Sequence, residues 1–350
     1  MPDTRRDRAD QRWHYPRVMG FATPFDPAQR PAPFTGRGPG LGPADVDACP
    51  CGSGHPTASC HFDPRTHRWR LPPFKALLSG PSTGLSVRGC YAELTRDCQG
   101  GLSNEHWLSK GLLIEAGDGK VVRIGGLPWQ AEGSVNDLPP NRLGSNVLCE
   151  RHNHALSPLD AHAAYAFKVM DKFYLEQISR ADLGGSHIDL LSGEQLERWL
   201  LKMLWGATAA FPSVPRIRAD ADRAMLAEYL FRDGRLPADW GLYTKGLRQG
   251  RQSAPGQAIS VELQDIDGEL WGGSVIVGGV ELYFSLGKLS GGGGATVAHR
   301  PCAMFLDRSD SANSKVVALS WDNQGTSPGK GVRITYDPAL GPPSNSRPDR

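Results

Sequence analysis

No stretch of this chain approaches the run of about 18 apolar residues that a membrane-spanning helix needs. The opening residues, MPDTRRDRADQRWH, hold no apolar core of the kind a secretory leader carries. Charge of one sign is also scarce. Lys and Arg number 39 against 37 Asp and Glu, a formal net charge of +2. Such a balance does not announce a nucleic-acid binder, and it leaves room for a local basic face. Cysteine is sparse and odd in number. Seven thiols without a leader argue against a disulfide framework. The expectation is a soluble cytoplasmic protein with no membrane contact. Six of the seven cysteines stand in two clusters, each with histidine nearby, as metal sites do in a reducing compartment.

A chain of 350 residues, 39% hydrophobic, is long enough for two or three domains with their own cores. Its 42 glycines and 28 prolines assign a good share of it to loops. Residues 1–44 show neither helical nor strand period, and read as a disordered or extended arm. Residues 45–70 hold the first Cys/His cluster, and 85–165 the second. Apolar residues then recur at three and four in AHAAYAFKVMDKFYLEQISR and SGEQLERWLLKMLWGATAA, with ADADRAMLAEYLFRDG as a shorter helix. This helical segment spans 166–240. Ser192 followed by Gln195 makes a capping box for its second helix. From 255 to 340 the period shifts to two. AISVELQDI, WGGSVIVGGVELYFSL, CAMFLDRS, KVVALSW and GVRITYD read as strands of a β-rich C-terminal domain. GKLSGGGG lacks the spacing of a phosphate-binding loop and reads as a flexible hairpin loop. The fold class expected is α+β.

The first cluster, ACPCGSGHPTASCH, sets Cys49 and Cys51 before Cys60 and His61. Thiolate and imidazole are ligands that zinc prefers, and four of them close a structural site. The stretch resembles the SEC-C zinc motif, whose CPCGSG core it carries. HPTAS replaces the lysine-rich stretch of that motif. The resemblance implies a small zinc knuckle that is structural or adhesive.

In the second cluster Cys90 and Cys98 precede CQGGLSNEHWLSK, and NVLCERHNHALS follows. Cys90, Cys98, Cys149 and His152 supply four soft or borderline ligands, a second structural zinc set. They leave Glu105, His106 and Asn153 unspent. The ordered set Cys, Cys, Glu-His, Asn, Cys, His-Asn resembles the HNH endonuclease family. That resemblance implies a ββα-metal module on a zinc ribbon, with SNEHWLS ending one strand, GSNVLC a second, and CERHNHALS opening the helix. It departs from the family in three ways, one being that Asn146 stands only three residues before Cys149. Seven residues rather than two separate Cys90 and Cys98, and His152 stands for the second cysteine of the later pair.

The implied activity is metal-dependent cleavage of a DNA phosphodiester bond, with RNA as the other candidate. Such hydrolysis needs an activated water and a cation facing the developing charge. A hard cation, Mg²⁺ or Mn²⁺, wants oxygen, which Glu105 and the amide of Asn153 can offer. His106, neutral near pH 7, would be the general base. Asn146 would bond His106 or the hairpin backbone and fix the ring, with Asn141 an alternative. His154 is the alternative to Asn153. Neighbours on a strand face opposite ways, so Glu105 and His106 converge only at a bend or strand end. Gly111 to Arg142 would be an excursion from the hairpin. His162 reads as a surface residue, and Asp160 as a first-turn acid favoured by the helix dipole. Fold analogy places such modules in bacterial restriction and anti-phage defence. The competing expectation is a non-catalytic zinc scaffold that binds nucleic acid, or a protein partner through the knuckle or the C-terminal region.

Overall fold

The computed structural model describes residues 49–336, except 50–54, 64, 66–67, 72–73, 117–120, 128, 132–133, 179–186, 247–258, 290–295, 310–313 and 322–330. The expected arm, Cys51 and the four consecutive glycines of GKLSGGGG lie outside the described residues. The chain is mixed α+β, as its periodicities predict. Among the described residues no helix is long and apolar enough to cross a membrane.

Two short strands, β1 (Phe62–Asp63) and β2 (Arg68–Trp69), follow the first cluster. Next come β3 (Leu102–His106), helix α1 (Lys110–Ala116), β4 (Val122–Gly125), β5 (Val135–Leu138) and β6 (Gly144–Cys149). Helices α2 (Glu150–Ala155) and α3 (Ser157–Ile178) lead through β7 (His187–Ser192) into α4 (Gly193–Ala210). Strand β8 (Arg216–Ile217), helix α5 (Arg223–Phe231) and β9 (Gly241–Gly246) complete the middle of the chain. The rest is strand: β10 (Ile259–Ile266), β11 (Glu269–Val277), β12 (Val280–Ser285), β13 (Thr296–His299), β14 (Ala303–Arg308), β15 (Ser314–Ser320) and β16 (Gly331–Tyr336).

Among the described residues the strands form three sheets. One runs β13-β9-β12-β11-β10-β4-β5, with β8 beside β11. Another runs β1-β2-β15-β14-β16, with β7 beside β15. The third is the antiparallel pair β3-β6. The excursion between β3 and β6 is thus structured. Its hairpin β4-β5 extends the large sheet through a parallel contact of β4 with β10. Likewise the strands after the first cluster join the C-terminal β15, where Trp69 lies opposite Ser320. Gly126 serves this join. It has φ +77, and a side chain there would run into the Val261 carbonyl of β10. Between β11 and β12, Gly278 and Gly279 both have positive φ, the pair a tight hairpin turn of this handedness requires.

Helix α4 is enclosed along nearly its whole length. The expected cap is present: Ser192 Oγ accepts from the Gln195 amide at 3.2 Å. Its apolar face packs Trp199 edge-on against Phe167 of α3, with centroids 5.3 Å apart. It also buries Glu194, Glu197, Arg198 and Lys202, which is tolerable only if each charge is paired. Arg198 bonds Glu194 at 2.7 Å and lies over the rings of Phe74 and Tyr229. Glu197 takes a two-pronged bond from Arg300, both contacts at 2.9 Å. Lys202 points to β3.

Candidate functional site

Strand β6 ends at Cys149, and α2 starts at the next residue. Cys149 therefore occupies the cap position of α2, and His152 follows one turn later on the same helix. The loop before β3 brings Cys90 and Cys98 to them. His152 Nδ1 lies 3.0 Å from the Cys149 sulfur, 3.6 Å from Cys90 and 3.8 Å from Cys98. All four side chains are buried, and their ligand atoms lie within 4.8 Å of one another. This group could hold a metal ion. Burial pushes the Cys90 thiol up to about 12. It therefore keeps its proton until a cation takes the proton's place.

The ring orientation is set from outside. Thr95 Oγ1 donates to the Ala92 carbonyl at 2.8 Å, so toward His152 it can only accept. Its 3.0 Å contact with His152 Nε2 then fixes the proton on Nε2 and leaves Nδ1 free for a metal. Thr95→Val should lower metal affinity by about 10–100-fold with the fold retained, as read by competition with a chelator. Unchanged affinity would show that Thr95 plays no part in orienting the ring.

Asp97, fully buried, clamps the loop to two helices. It meets Arg151 of α2 at 3.0 Å and Arg232, just after α5, at 2.7 Å. Burial raises its pKa, but the bonds from Arg151 and the Thr83 amide, with the charges of Arg151 and Arg232, more than offset this and lower it.

In the first cluster, Cys49, Cys60 and His61 converge, with His61 Nδ1 3.4 and 3.2 Å from the two sulfurs. These three could hold a second ion.

The residues expected at the reacting end are divided by the pleat. In the β3-β6 ladder Asn104 faces Asn146, Glu105 faces Ser145, and His106 faces Gly144. Opposite residues share a face and neighbours alternate. Asn104, His106 and Asn146 thus lie on one face, and Glu105 on the other. Gly144 suits this crowding, since a Cβ there would meet the Asn104 side chain. Glu105 is 2% exposed and pairs with Lys202 Nζ at 2.5 Å. The predicted convergence of Glu105 and His106 is therefore absent, because the two occupy successive rungs of the β3-β6 ladder and point to opposite faces.

The bond expected from Asn146 to His106 or the hairpin backbone is also not made. Asn146 is exposed and sits opposite Asn104 instead. Asn141 is exposed in the turn before β6, and His154 is exposed on α2. Asn153 does reach the hairpin. Its Nδ2 donates to Ser103 Oγ at 2.9 Å and to the Asn104 carbonyl at 3.4 Å. Because that carbonyl can only accept, the amide oxygen of Asn153 is left over.

His106 is half-buried, and its Nε2 has no hydrogen-bond partner. Burial lowers its pKa, and the charges of Lys110 and Lys202 lower it further, against a smaller upward pull from Asp160. The imidazole is therefore neutral at pH 7, and its Nε2 is buried without a hydrogen-bond partner. Lys110, exposed at the start of α1, makes no ion pair among the described residues. His162 is not a surface residue: its Nε2 lies 3.0 Å from the Ser192 carbonyl.

The sequence reading missed Lys202 and the second task of Asp160. Lys202 is fully buried. It meets Glu105, Asp160 at 3.0 Å and the His106 carbonyl at 2.5 Å. Asp160 also accepts from Ser109, which accepts from Trp199 Nε1 at 2.6 Å. Burial raises the Glu105 carboxyl, Lys202 pulls against it and Asp160 adds to it, so that it stands at about 7. A signal existed: Lys202 stands between apolar neighbours in WLLKMLW, where a solvated lysine does not belong. No family model, curated protein or solved structure matches this chain.

Proposed function

We propose that the chain is a nuclease of the HNH type that hydrolyses a phosphodiester bond in DNA, with His106 as general base. The observation that carries this reading is the unspent imidazole of His106, at one end of a strand-strand-helix unit whose other end is gathered by Cys90, Cys98, Cys149 and His152. Zinc suits that cluster. Contacts of 3.0–3.8 Å between ligand atoms agree with arms of about 2.0–2.3 Å around one centre. Zinc suits Cys49, Cys60 and His61 on the same grounds, with Cys51 as the fourth ligand.

Near pH 7 a neutral His106 takes the proton of a water as the water attacks phosphorus. Lys110 supplies a cation close enough to His106 to shift it, which fits a site for an anionic phosphate. A hard divalent cation would stabilise the charge that develops on the phosphoryl oxygens. Only one of its two expected ligands fits. The free amide oxygen of Asn153 is suitable, whereas Glu105 is held by Lys202.

The engagement of Glu105 favours a second reading, a zinc scaffold that binds nucleic acid without cutting it. Plasmid cleavage by the zinc-loaded chain with Mg²⁺ or Mn²⁺, beside His106→Ala, separates the two. The nuclease reading expects cleavage that falls by about 10²–10⁴-fold in the variant. Retained DNA binding with no cleavage under either metal favours the scaffold. Equal cleavage by both proteins removes His106 from the role of base.

A further inference from the structure

We propose that the ammonium of Lys202 is the resident cation of the Glu105–Asp160 carboxylate pair, and that Glu105 takes no divalent ion in the native chain. The geometry is that of a filled site. An ammonium has three N–H groups and no acceptor. Lys202 Nζ has three oxygen partners: Glu105 at 2.5 Å, Asp160 at 3.0 Å and the His106 carbonyl at 2.5 Å. Its side chain has no exposed surface. The partners come from β3 and α3, and the cation from α4. Ser109 and Trp199 close the far side through the bond chain to Asp160.

The chemistry favours lysine over a metal in this position. A hard divalent ion asks for about six oxygens in near-octahedral array, and Mg²⁺ keeps several waters among them. A cage of two carboxylates and one carbonyl, with Asp160 partly exposed at its rim, has too few ligands for that. An ammonium needs no water and meets all three oxygens, the His106 carbonyl and Asp160 through hydrogen bonds and Glu105 as an ion pair. Truncating Lys202 reverses the balance. Two carboxylates then face an opening left by a long side chain, and a divalent ion with its waters restores neutrality.

The inference concerns the same site as the nuclease reading but stands on the cage alone, so absence of cleavage leaves it intact. Manganese binding to the zinc-loaded, full-length protein tests it by electron paramagnetic resonance. Wild type and Glu105→Gln should bind equal amounts of Mn²⁺. Lys202→Ala should gain one ion per chain, which the double variant with Glu105→Gln should lose. Lys202→Arg, which keeps the charge, should gain none. A wild-type ion that Glu105→Gln removes overturns the proposal. So does a Lys202→Ala chain that binds no added ion while its zinc content and near-ultraviolet circular dichroism match wild type. If Lys202→Ala does not fold, the comparison of wild type with Glu105→Gln decides alone.

Discussion

Cys149→Ser should remove one metal ion per chain and unfold the β3-β6-α2 unit. Three tasks meet at this residue. Cys149 ends β6, occupies the cap position of α2, and supplies the sulfur nearest to His152 Nδ1, at 3.0 Å. A serine hydroxyl is too poor a ligand to replace a thiolate on zinc. Its other ties are the Asp97 clamp, the contacts of Lys202 with β3, and the packing of Leu148 in the core. Helix α2 is short, and isolated helices of under about 12 residues are marginal in water. Structural zinc contributes about 10–16 kcal/mol of binding free energy in small modules. That matches or exceeds the ~5–15 kcal/mol stability of a typical domain. Elemental analysis should fall from two ions to one for the clusters of Cys149 and Cys49. Thermal unfolding should lose its cooperative transition or shift far down in temperature. Wild-type metal content with an unchanged transition would show that Cys149 is no ligand.

The second large effect lies away from the metal clusters. Glu197→Ala should cost about 3–5 kcal/mol, because it strands a buried arginine. Glu197 accepts from Arg300 at both oxygens, from the Leu242 amide at 2.8 Å, and from the Tyr229 hydroxyl. These partners belong to α5, to β9 and to the segment after β13, so one carboxylate on α4 joins three parts of the chain. Arg300 itself has φ 44, a conformation most residues avoid, and its side chain is fixed there by this pair. Denaturant unfolding should show a lowered midpoint. A change below about 1 kcal/mol would match an exposed ion pair instead, and contradict the burial.

Much of this was legible in the sequence where period and chemistry are local. The period-two runs became β10, β11, β12, β14, β15 and β16 within a few residues. The apolar spacing placed α3, α4 and α5, and the Ser192–Gln195 signal marked the start of α4. The two Cys/His groups came together because thiols and imidazoles at such spacings have few other uses. What the sequence did not show was long-range. Strands β4 and β5 are short, and β4, β7 and β9 gain their pairing from partners far along the chain, as β4 does from β10. The Glu105 assignment failed for a different reason. Adjacency in sequence suggested a shared cation, but the pleat separates neighbours, and the decisive partner, Lys202, lies 97 residues further on in α4. Asn146 fell to the same register: its rung of the ladder holds Asn104, while His106 faces Gly144.

The central claim is that this unit presents His106 as a neutral base, with Glu105 turned away from it. Nuclear magnetic resonance titration of the His106 ring in the zinc-loaded chain tests that most directly, with the signal assigned by its loss in His106→Ala. Burial and the charges of Lys110 and Lys202 should hold its pKa below the ordinary 6.5, so the ring stays uncharged at pH 7 and gains a proton only in more acidic solution. A His106 pKa above 7 would mean that a carboxylate faces the ring, and would contradict both the orientation of Glu105 and the role of His106 as base.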